Sequence, residues 1–434
     1  SAAVQIVRRL RDAGHVSYFA GGCVRDHLRG ETAHDIDIAT SAHPEQVTSL
    51  FPRTIAVGAQ FGVIIVLEGG AEFEVATFRS DSQYLDGRRP ESVSFTDART
   101  DAQRRDFTVN GLFYDPLADE VLDYVGGKAD LAARTLRAIG DPADRFREDK
   151  LRVLRAIRFA ATLDFQIDPT TWDAVRANAT AIHAVSPERI RDELIKIFTA
   201  PSRVRGFDLL DSSGLLRILL PAVADLAGCE QPPEFHPEGD VFVHTRLMLD
   251  LLPPDASTEL VFGVLFHDIG KPPTSFTDET GRIRFNGHEH VGAEMATRIL
   301  KDLRFPNREI DDIVALVKNH MAFKDVQNMR VAKLKRFLAR DTFDDELELH
   351  RVDCTSSHGL LDNHTFLIER REEFANEPLI PPPLVTGHDL IALGLTPGPA
   401  FKAILDAAQT AQLENAFPDR DAALEWLRAV AADQ

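Results

Sequence analysis

Residues 18–38 read YFAGGCVRDHLRGETAHDIDI, and this stretch decides the fold of the first part of the chain. Tyr18–Ala20 predicts a short buried strand that ends at Gly21 and Gly22. Glycines at that point allow a tight turn and bring backbone N–H groups close to an anion. A first helical turn follows, with Arg25 near its start. The pattern therefore predicts a phosphate cradle between a strand and a helix.

A pair of acidic residues follows the predicted cradle. Residues 35–38 read Asp-Ile-Asp-Ile, which predicts a strand on which Asp35 and Asp37 point the same way and the isoleucines point into the core. Two adjacent carboxylates repel each other, and a hard divalent cation between them explains their proximity. Either pattern alone is more often structural than catalytic. Together they indicate Mg²⁺-dependent chemistry on a nucleoside triphosphate.

A β-hairpin is predicted next, with a buried strand at residues 61–66 and an alternating strand at residues 71–77. If the polar face of the second strand looks toward the two aspartates, Glu74 is a third metal-site acid. A solvent-facing Glu74 is the alternative. Residues 79–90 are polar and turn-rich and predict a loop.

A second dense motif, RRDFTVNG, occupies residues 104–111. Arg105 offers a fixed fork of donors for phosphate. Asp106 and Asn110 can hydrogen-bond a ribose hydroxyl and so select NTP over dNTP. These three side chains are expected near the nucleotide, while the apolar residues between them are buried.

Residues 147–159 predict one strong amphipathic helix, on which Asp149 and Arg152 lie three apart on one face. A surface ion pair of little energetic value is one interpretation. A protein template for the base is the other. Cytosine and adenine both present an exocyclic amine beside a bare ring nitrogen, which an Asp acceptor and an Arg donor match. Arg155 and Arg158 either hold phosphates or pair with acids.

The second half of the chain, from residue 208 onward, is predicted to be all helical. It carries histidines and aspartates in an order that a packed core does not explain, and these ligand types suit one or two divalent metals. The candidate ligands are His244, His267, Asp268, His288, His320 and Asp353. His290 and Glu294 are secondary candidates.

These motifs resemble those of the class II tRNA nucleotidyltransferases, the CCA-adding enzymes, and their bacterial poly(A) polymerase relatives. The resemblance implies Mg²⁺ at Asp35 and Asp37, triphosphate binding by Gly21, Gly22 and Arg25, and tRNA 3′ ends, CTP and ATP as substrates. Residues 148–152 match the family's base-reading element. The sequence of residues 111–116 resembles the poly(A) polymerase branch of the family more than the CCA-adding branch.

The second half resembles HD-domain phosphohydrolases, with HDIGK at residues 267–271 as the specific part. The resemblance implies a divalent metal there, Mg²⁺, Mn²⁺, Ni²⁺ or Co²⁺, and hydrolysis of a 2′,3′-cyclic phosphate or phosphomonoester at an RNA end. An inherited bundle that only grips tRNA is the alternative.

Composition sets the outer limits of this interpretation. The chain has 434 residues and a net charge of −19, which disfavours nonspecific nucleic-acid binding. No apolar run reaches the roughly 18 residues that a membrane span needs. The three cysteines are far apart, which fits reduced thiols and a cytoplasmic location. The oligomeric state is left open.

We therefore expect an α+β protein: a polymerase-β-like head with a small mixed sheet, followed by an all-α neck, body and tail. The expected domains are a catalytic head at 1–138, a neck at 139–205, an HD-type domain at 206–372 and a tail at 373–434. Rival functions in the same class are a poly(A) polymerase or an enzyme adding only A or only CC. A rival from another class is an HD phosphohydrolase whose head senses nucleotides.

Overall fold

The structure is a computed structural model that describes residues 1–33, 35–58, 61–81 and 93–432. It consists of two compact units. Unit 1 comprises Ser1–Ala224 with Asp302–Phe305, and unit 2 comprises Asp225–Lys301 with Pro306–Gln434. The α+β class is confirmed, since the strands of the mixed sheet lie in the first part of the chain and helices dominate the rest. The finer division into head, neck, HD domain and tail stays a prediction.

Unit 1 contains the mixed sheet. The described strands of unit 1 are β1 (Ser17–Ala20), β2 (Asp37–Thr40), β3 (Thr54–Gly58), β4 (Val63–Glu68), β5 (Ala71–Thr77), β6 (Arg79–Asp81), β7 (Val93–Phe95), β8 (Leu112–Asp115), β9 (Glu120–Asp123), β10 (Thr135–Leu136) and β11 (Gln166–Ile167). Seven of the described strands form one sheet in the order β3-β4-β5-β2-β1-β8-β9. Strands β2 and β5 pair in parallel, and the other neighbours in this sheet are antiparallel.

Helices cover both faces of this sheet and continue beyond it. They are α1 (Ala2–Asp12), α2 (Gly22–Leu28), α3 (Pro44–Leu50), α4 (Ala98–Gln103), α5 (Gly127–Ala132), α6 (Pro142–Glu148), α7 (Arg152–Leu163), α8 (Pro169–Asn178), α9 (Pro187–Phe198), α10 (Arg203–Ser212), α11 (Leu215–Leu219) and α12 (Pro221–Ala224). Ile38 and Val75 pack with α1 and α3 on one face, whereas Ala39 packs with Phe78 and α4 on the other. This alternation follows from the period of two along β2.

The predicted start of the second strand, at Asp35, is wrong. Strand β2 begins at Asp37, and Asp35 lies before it in an exposed bend. The reason is the neighbouring strand: Ala20 pairs with Asp37, and β1 ends there because Gly21 turns away with a φ of 75°. Asp35 therefore has no strand partner on that side.

The predicted hairpin is confirmed, with β4 and β5 antiparallel and Ile65 opposite Glu74. The predicted loop at 79–90 is wrong for its first residues, because β6 pairs with β7. Residues 82–90 of that loop lie outside the described residues.

The single helix predicted over residues 147–159 is also wrong, because the chain leaves helical geometry between α6 and α7. Asp149 has φ −129° and ψ 105°, and its carboxylate accepts a hydrogen bond from the backbone N–H of Leu151. An Asp side chain that bonds its own backbone competes with the helix in this way. The apolar face predicted for the later part is confirmed, since Leu151, Leu154 and Ile157 are buried.

Unit 2 is mostly helical. Its helices are α13 (Val241–Leu251), α14 (Thr258–Phe266), α15 (Lys271–Thr274), α16 (His288–Asp302), α17 (Asn307–Asn319), α18 (Val331–Leu338), α19 (Phe343–Ser356), α20 (Asp362–Glu373), α21 (Gly387–Ala392), α22 (Pro399–Leu413) and α23 (Arg420–Ala432). The all-helical prediction missed one short hairpin, formed by β12 (Phe276–Thr277) and β13 (Ile283–Arg284). Among the described residues, no helix combines the length and the apolar character needed to cross a membrane.

Candidate functional site

The glycine turn that was predicted to cradle a phosphate lies at the start of α2. Gly21 adopts φ 75°, a conformation that favours glycine, and its N–H donates to the carbonyl of Leu112 at 3.0 Å. A Cβ atom at this position would lie 2.9 Å from Nη1 of Arg105. The glycine therefore lets the guanidinium of the second motif approach the cradle. Gly22 begins α2.

The acidic side chains meet at the adjoining strands. Parallel pairing of Ile38 with Val75 puts Asp37 and Glu74 level on neighbouring strands, on the same face of the sheet. Desolvation and the negative charge of Glu74 raise the pKa of Asp37 to about 6, with Arg105 opposing and Asp35 adding to the effect, although the residue is exposed overall. Neighbouring carboxylates offer the oxygen ligands that Mg²⁺ prefers.

Arg25 does not project freely from the cradle. The residue is 8% exposed, its Nη1 donates to Oδ1 of Asn110 at 2.7 Å, and its Nε donates to Asp26 at 2.7 Å. Arg25, predicted to bind the triphosphate, and Asn110, predicted to bind the ribose, are thus hydrogen-bonded to each other.

Asp106 is the centre of a buried polar network. Its Oδ2 accepts from Nη2 and Nε of Arg155 at 2.6 and 2.9 Å, and its Oδ1 accepts from Asn110 at 3.2 Å and from the N–H of Phe107 at 2.7 Å. Burial opposes ionisation, but Arg155 outweighs it and lowers the pKa of Asp106 to about 2. Asp106 is therefore charged at neutral pH and joins the second motif to α7.

Sequence reasoning missed Asp101, which holds the arginines of the second motif. Its carboxylate is 1% exposed and accepts from Arg104 at 2.9 Å and from Arg105 at 3.1 Å. These arginines lower the pKa of Asp101 against the effect of burial. The available signal was the spacing of four residues between Asp101, which lies in α4, and Arg105, which follows it.

The proposed base-reading pair is not an ion pair and does not share a helix. Asp149 follows α6 and bonds Nη2 of Arg189 at 2.9 Å. Arg152 begins α7, is 7% exposed, and bonds Glu148 at 3.1 Å and the carbonyl of Arg104 at 2.9 Å. The two side chains lie on either side of the break between the helices, each with its own partner.

Helix α9 orients this region. Besides the bond from Arg189 to Asp149, its Glu193 accepts from Nε of Arg158 at 2.6 Å. Of the two open interpretations of Arg155 and Arg158, pairing with acids is the one that this structure displays.

In unit 2 the structure brings all six predicted metal-ligating residues together. Asp268 is 2% exposed, and its oxygens lie 3.0 Å from Nε2 of His267, 3.3 Å from Nε2 of His288 and 3.8 Å from Nε2 of His320. Nε2 of His244 lies 3.1 Å from Asp353. The groups His244–His267–Asp268 and Asp268–His288–His320 each have the compactness of a metal site.

The tautomers of these histidines suit metal binding. Nδ1 of His267, His288 and His320 lies within 2.8 Å of the backbone carbonyl of Val264, Phe285 and Val317, respectively. A donor at Nδ1 leaves Nε2 with its lone pair toward Asp268. The Nε2 atoms of His244 and His267 are buried and face carboxylate oxygens, of Asp353 at 3.1 Å and of Asp268 at 3.0 Å.

Two further residues complete this cluster: Glu238, which sequence reasoning missed, and Lys271, which belongs to the HDIGK motif but was given no role. Glu238 accepts from Nδ1 of His244 at 2.7 Å, and Lys271 lies 2.7 Å from Oδ2 of Asp268. Burial disfavours protonation of His244, but Asp353 and Glu238 outweigh it and raise its pKa to about 9. The secondary candidates His290 and Glu294 are exposed and belong to none of the compact metal-binding groups of the described chain.

A cavity of about 450 Å³ opens onto this cluster. Asp268, His288, His320 and Asp353 line it together with the basic side chains Lys271, Arg282, Arg284 and Lys324. A buried metal-ligand set beside basic side chains is suited to an anionic substrate.

Three family models match the chain. The Poly A polymerase head domain matches residues 17–137, the probable RNA and SrmB-binding site of polymerase A matches residues 164–226, and the HD domain matches residues 240–352. A CCA-adding enzyme of Levilactobacillus brevis is 32% identical over 422 residues, covering 96% of this chain and 95% of the relative. The chain belongs to the CCA-adding enzyme family.

Other CCA-adding enzymes match shorter stretches or match by fold. That of Streptococcus suis is 44% identical over 227 residues, and this alignment spans 52% of the chain and about half, 55%, of the relative. The crystal structure of the Bacillus stearothermophilus CCA-adding enzyme in complex with CTP matches with a TM-score of 0.78 and 27% identity, covering 100% of this chain and 97% of that one. The Thermotoga maritima enzyme complexed with tRNA, at 18% identity and a TM-score of 0.59, shares the fold.

The raised pKa of Asp37 predicts a trade-off between stability and function. The folded-state pKa of Asp37 lies above the usual 3.8, so the folded protein favours the protonated carboxyl. The contribution of Asp37 to the free energy of unfolding is therefore most favourable below about pH 4 and is lost as the pH rises through about 6. We expect Asp37→Asn to raise the thermal unfolding midpoint of the metal-free protein at about pH 7.5, with a gain that shrinks toward pH 4.5. Glu72→Gln, an exposed acid on β5, is the control. A lower unfolding midpoint for Asp37→Asn than for the wild-type protein at pH 7.5 would contradict a raised pKa of Asp37.

Proposed function

We propose that this protein adds C and A nucleotides from CTP and ATP to the 3′ end of tRNA, with release of pyrophosphate and without a nucleic-acid template. The observation that carries the proposal is the network at Asp106, which bonds the second motif to α7 and, through Asn110, to Arg25 of the cradle. The CTP complex of the Bacillus stearothermophilus relative supports the choice of nucleotide.

In this proposal each part of the site has one task. Gly21, Gly22 and Arg25 hold the triphosphate, and Asp35 and Asp37 hold Mg²⁺, with Glu74 as a third acid. Mg²⁺, when bound, neutralises charge on the phosphate oxygens. Arg105 adds donors toward the phosphates, and Asp106 with Asn110 recognises the ribose. The tRNA 3′-oxygen attacks the α-phosphorus, the bond to pyrophosphate breaks, and the hydroxyl proton passes to a carboxylate of the site.

Base selection is proposed for Asp149 and Arg152. In the absence of nucleotide these side chains bond Arg189 and Glu148, so their polar atoms are satisfied. An incoming cytosine or adenine offers an amine to Asp149 and a ring nitrogen to Arg152 and replaces those bonds. Uracil and guanine invert the pattern and leave the pair unsatisfied. Arg155 and Arg158 hold the neighbouring network rather than the base.

The proposed setting is the cytoplasm, where thiols stay reduced; Cys23, Cys229 and Cys354 form no disulfide.

The central test is nucleotide incorporation into tRNA that lacks its 3′ end. Asp35→Ala and Asp37→Ala are expected to reduce incorporation by about a hundredfold or more, since the catalytic charge is lost. Glu74→Ala should also reduce it, whereas Glu72→Ala on the same strand should not. Full-speed extension by Asp35→Ala would overturn the proposal.

The same assay separates the rival functions. Incubation with CTP, ATP or both distinguishes CCA addition from poly(A), A-only or CC-only products. If the protein incorporates no nucleotide but hydrolyses phosphate esters, it is instead an HD phosphohydrolase with a nucleotide-sensing head.

The template proposal predicts a loss of selectivity. Asp149→Ala and Arg152→Ala are each expected to relax discrimination against UTP and GTP by about tenfold or more, because one unsatisfied partner costs roughly 1–3 kcal/mol. Measurement of kcat/KM for all four nucleotides checks this. Arg147→Ala, whose exposed side chain lies on α6, is the control. Equal losses for all four nucleotides would show that the pair is only structural.

We propose a second activity, metal-dependent hydrolysis of a 2′,3′-cyclic phosphate or phosphomonoester at an RNA end. Its support is the convergence of six ligand residues beneath a cavity with basic walls. A divalent ion, Mg²⁺, Mn²⁺, Ni²⁺ or Co²⁺, would supply an activated water when held by these residues. Water oxygen bonds to phosphorus, the bond from phosphorus to a ribose oxygen breaks, and that oxygen takes a proton.

For this second activity, His267→Ala and Asp268→Ala are expected to abolish phosphatase and cyclic phosphodiesterase turnover in the presence of each metal. CMP and AMP incorporation should persist in both variants. His290→Ala is the control, because its ring is exposed. Unchanged turnover in both ligand variants would end the hydrolase proposal.

A further inference from the structure

The wall of the cavity in unit 2 contains an aromatic side chain that the metal cluster does not need. Phe235 is 50% exposed, lines the cavity, and precedes His236, which lines it as well. The guanidinium of Arg282 lies 5.7 Å from the centre of the Phe235 ring, and Arg282 also bonds Glu234 at 3.1 Å. Phe235 therefore places an aromatic ring, with Arg282 near it, in the wall of a concave polar cavity of the kind that binds small molecules.

The basic side chains that line the cavity differ in their pairing with acids. Lys271 is bonded to Asp268, and Arg284 is bonded to Asp278 at 2.8 Å. Lys324 lines the cavity, is exposed, and forms no ion pair within 4.0 Å among the residues that the structure describes. A free cation beside a buried metal-ligand set is suited to a phosphate oxygen that does not bind the metal.

The hairpin missed from the sequence brings the basic side chains to this wall. Antiparallel pairing of β12 with β13 places Ile283 and Arg284 at the cavity, next to Arg282. The Asp278 carboxylate accepts from the backbone N–H of Arg282 and from Nε of Arg284, which fixes the turn. The wall thus combines the aromatic rings of Phe235 and Phe285 with the side chains of Arg282 and Arg284.

We propose that Phe235 is the base-stacking platform of a nucleoside subsite, with Lys324 as the seat of the adjacent phosphate. The ligand class is a nucleoside carrying a phosphate or a cyclic phosphate on its ribose. Every base has a face that can stack on an aromatic ring, so the subsite recognises a nucleoside without selecting its sequence. A cavity of about 450 Å³ has the size of a small-molecule site. This inference rests on the hydrolase activity proposed above and names the part of the substrate that gives it specificity.

Two substrates with the same reacting ring test the platform. A nucleoside 2′,3′-cyclic monophosphate carries a base, whereas glycerol 1,2-cyclic phosphate carries none. In the metal-loaded full chain, Phe235→Ala is expected to raise KM for the nucleotide about tenfold, with kcat little changed and the glycerol ester unaffected. Lys324→Ala is expected to raise KM for both esters alike.

Phe276→Ala is the matched control, because this residue is a phenylalanine, 45% exposed, on β12 of the hairpin beside the cavity and does not line the cavity. Equal effects of Phe235→Ala on the two esters, or no effect on either, would overturn the platform.

A binding titration keeps the test independent of turnover. If the wild-type protein hydrolyses neither ester, the hydrolase proposal fails. The subsite is then judged by titrating the metal-loaded protein with adenosine 3′-monophosphate and with inorganic phosphate. Weaker nucleotide binding by Phe235→Ala with unchanged phosphate binding supports the platform, and unchanged nucleotide binding contradicts it.

Discussion

The buried carboxylate of Asp106 is the interaction on which the candidate transfer site depends. A buried charge is costly unless it is hydrogen-bonded, and Asp106, which is 8% exposed, accepts hydrogen bonds from Arg155, from Asn110 and from the N–H of its neighbour Phe107. Since Asn110 in turn bonds Arg25, the second motif, the glycine turn before α2 and helix α7 are linked to one another. One hydrogen-bond network therefore connects Arg25, Asn110 and Asp106, which are proposed to bind the nucleotide.

The cluster in unit 2 is built by a different rule. Its histidines are anchored through Nδ1, either to the carbonyl three residues earlier or, for His244, to Glu238, so each presents Nε2 to the centre. Close packing of backbones makes this possible: a Cβ at Gly270 would lie 2.0 Å from the carbonyl oxygen of His288. The glycine of HDIGK is thus explained by the close approach of α16 and not by its backbone angles, which are those of an ordinary helix.

Local patterns in the sequence predicted most of the chemistry-bearing residues, because period-two and metal-ligand patterns are local. The six ligands in unit 2 do converge, and Asp37 does lie on a strand. What failed depends on neighbours that the pattern does not contain: Asp35 lies outside the strand because β1 stops at Gly21, and the helix breaks at Asp149 because that side chain caps the next turn. Asp101 and Glu238 were missed because each lies outside the recognised motifs. Each acts by bonding a residue that was predicted, Arg105 or His244.

The most direct test of this account is a double-mutant cycle between Asp106 and Arg155, with kcat/KM for CMP incorporation as the readout and the unfolding free energy as a parallel measurement. Asp106→Asn, Arg155→Gln and the double variant form the cycle. We predict a coupling of at least about 1 kcal/mol in catalysis, with the double variant little worse than either single variant. Additive losses in kcat/KM would contradict the claim that this pair holds the site together.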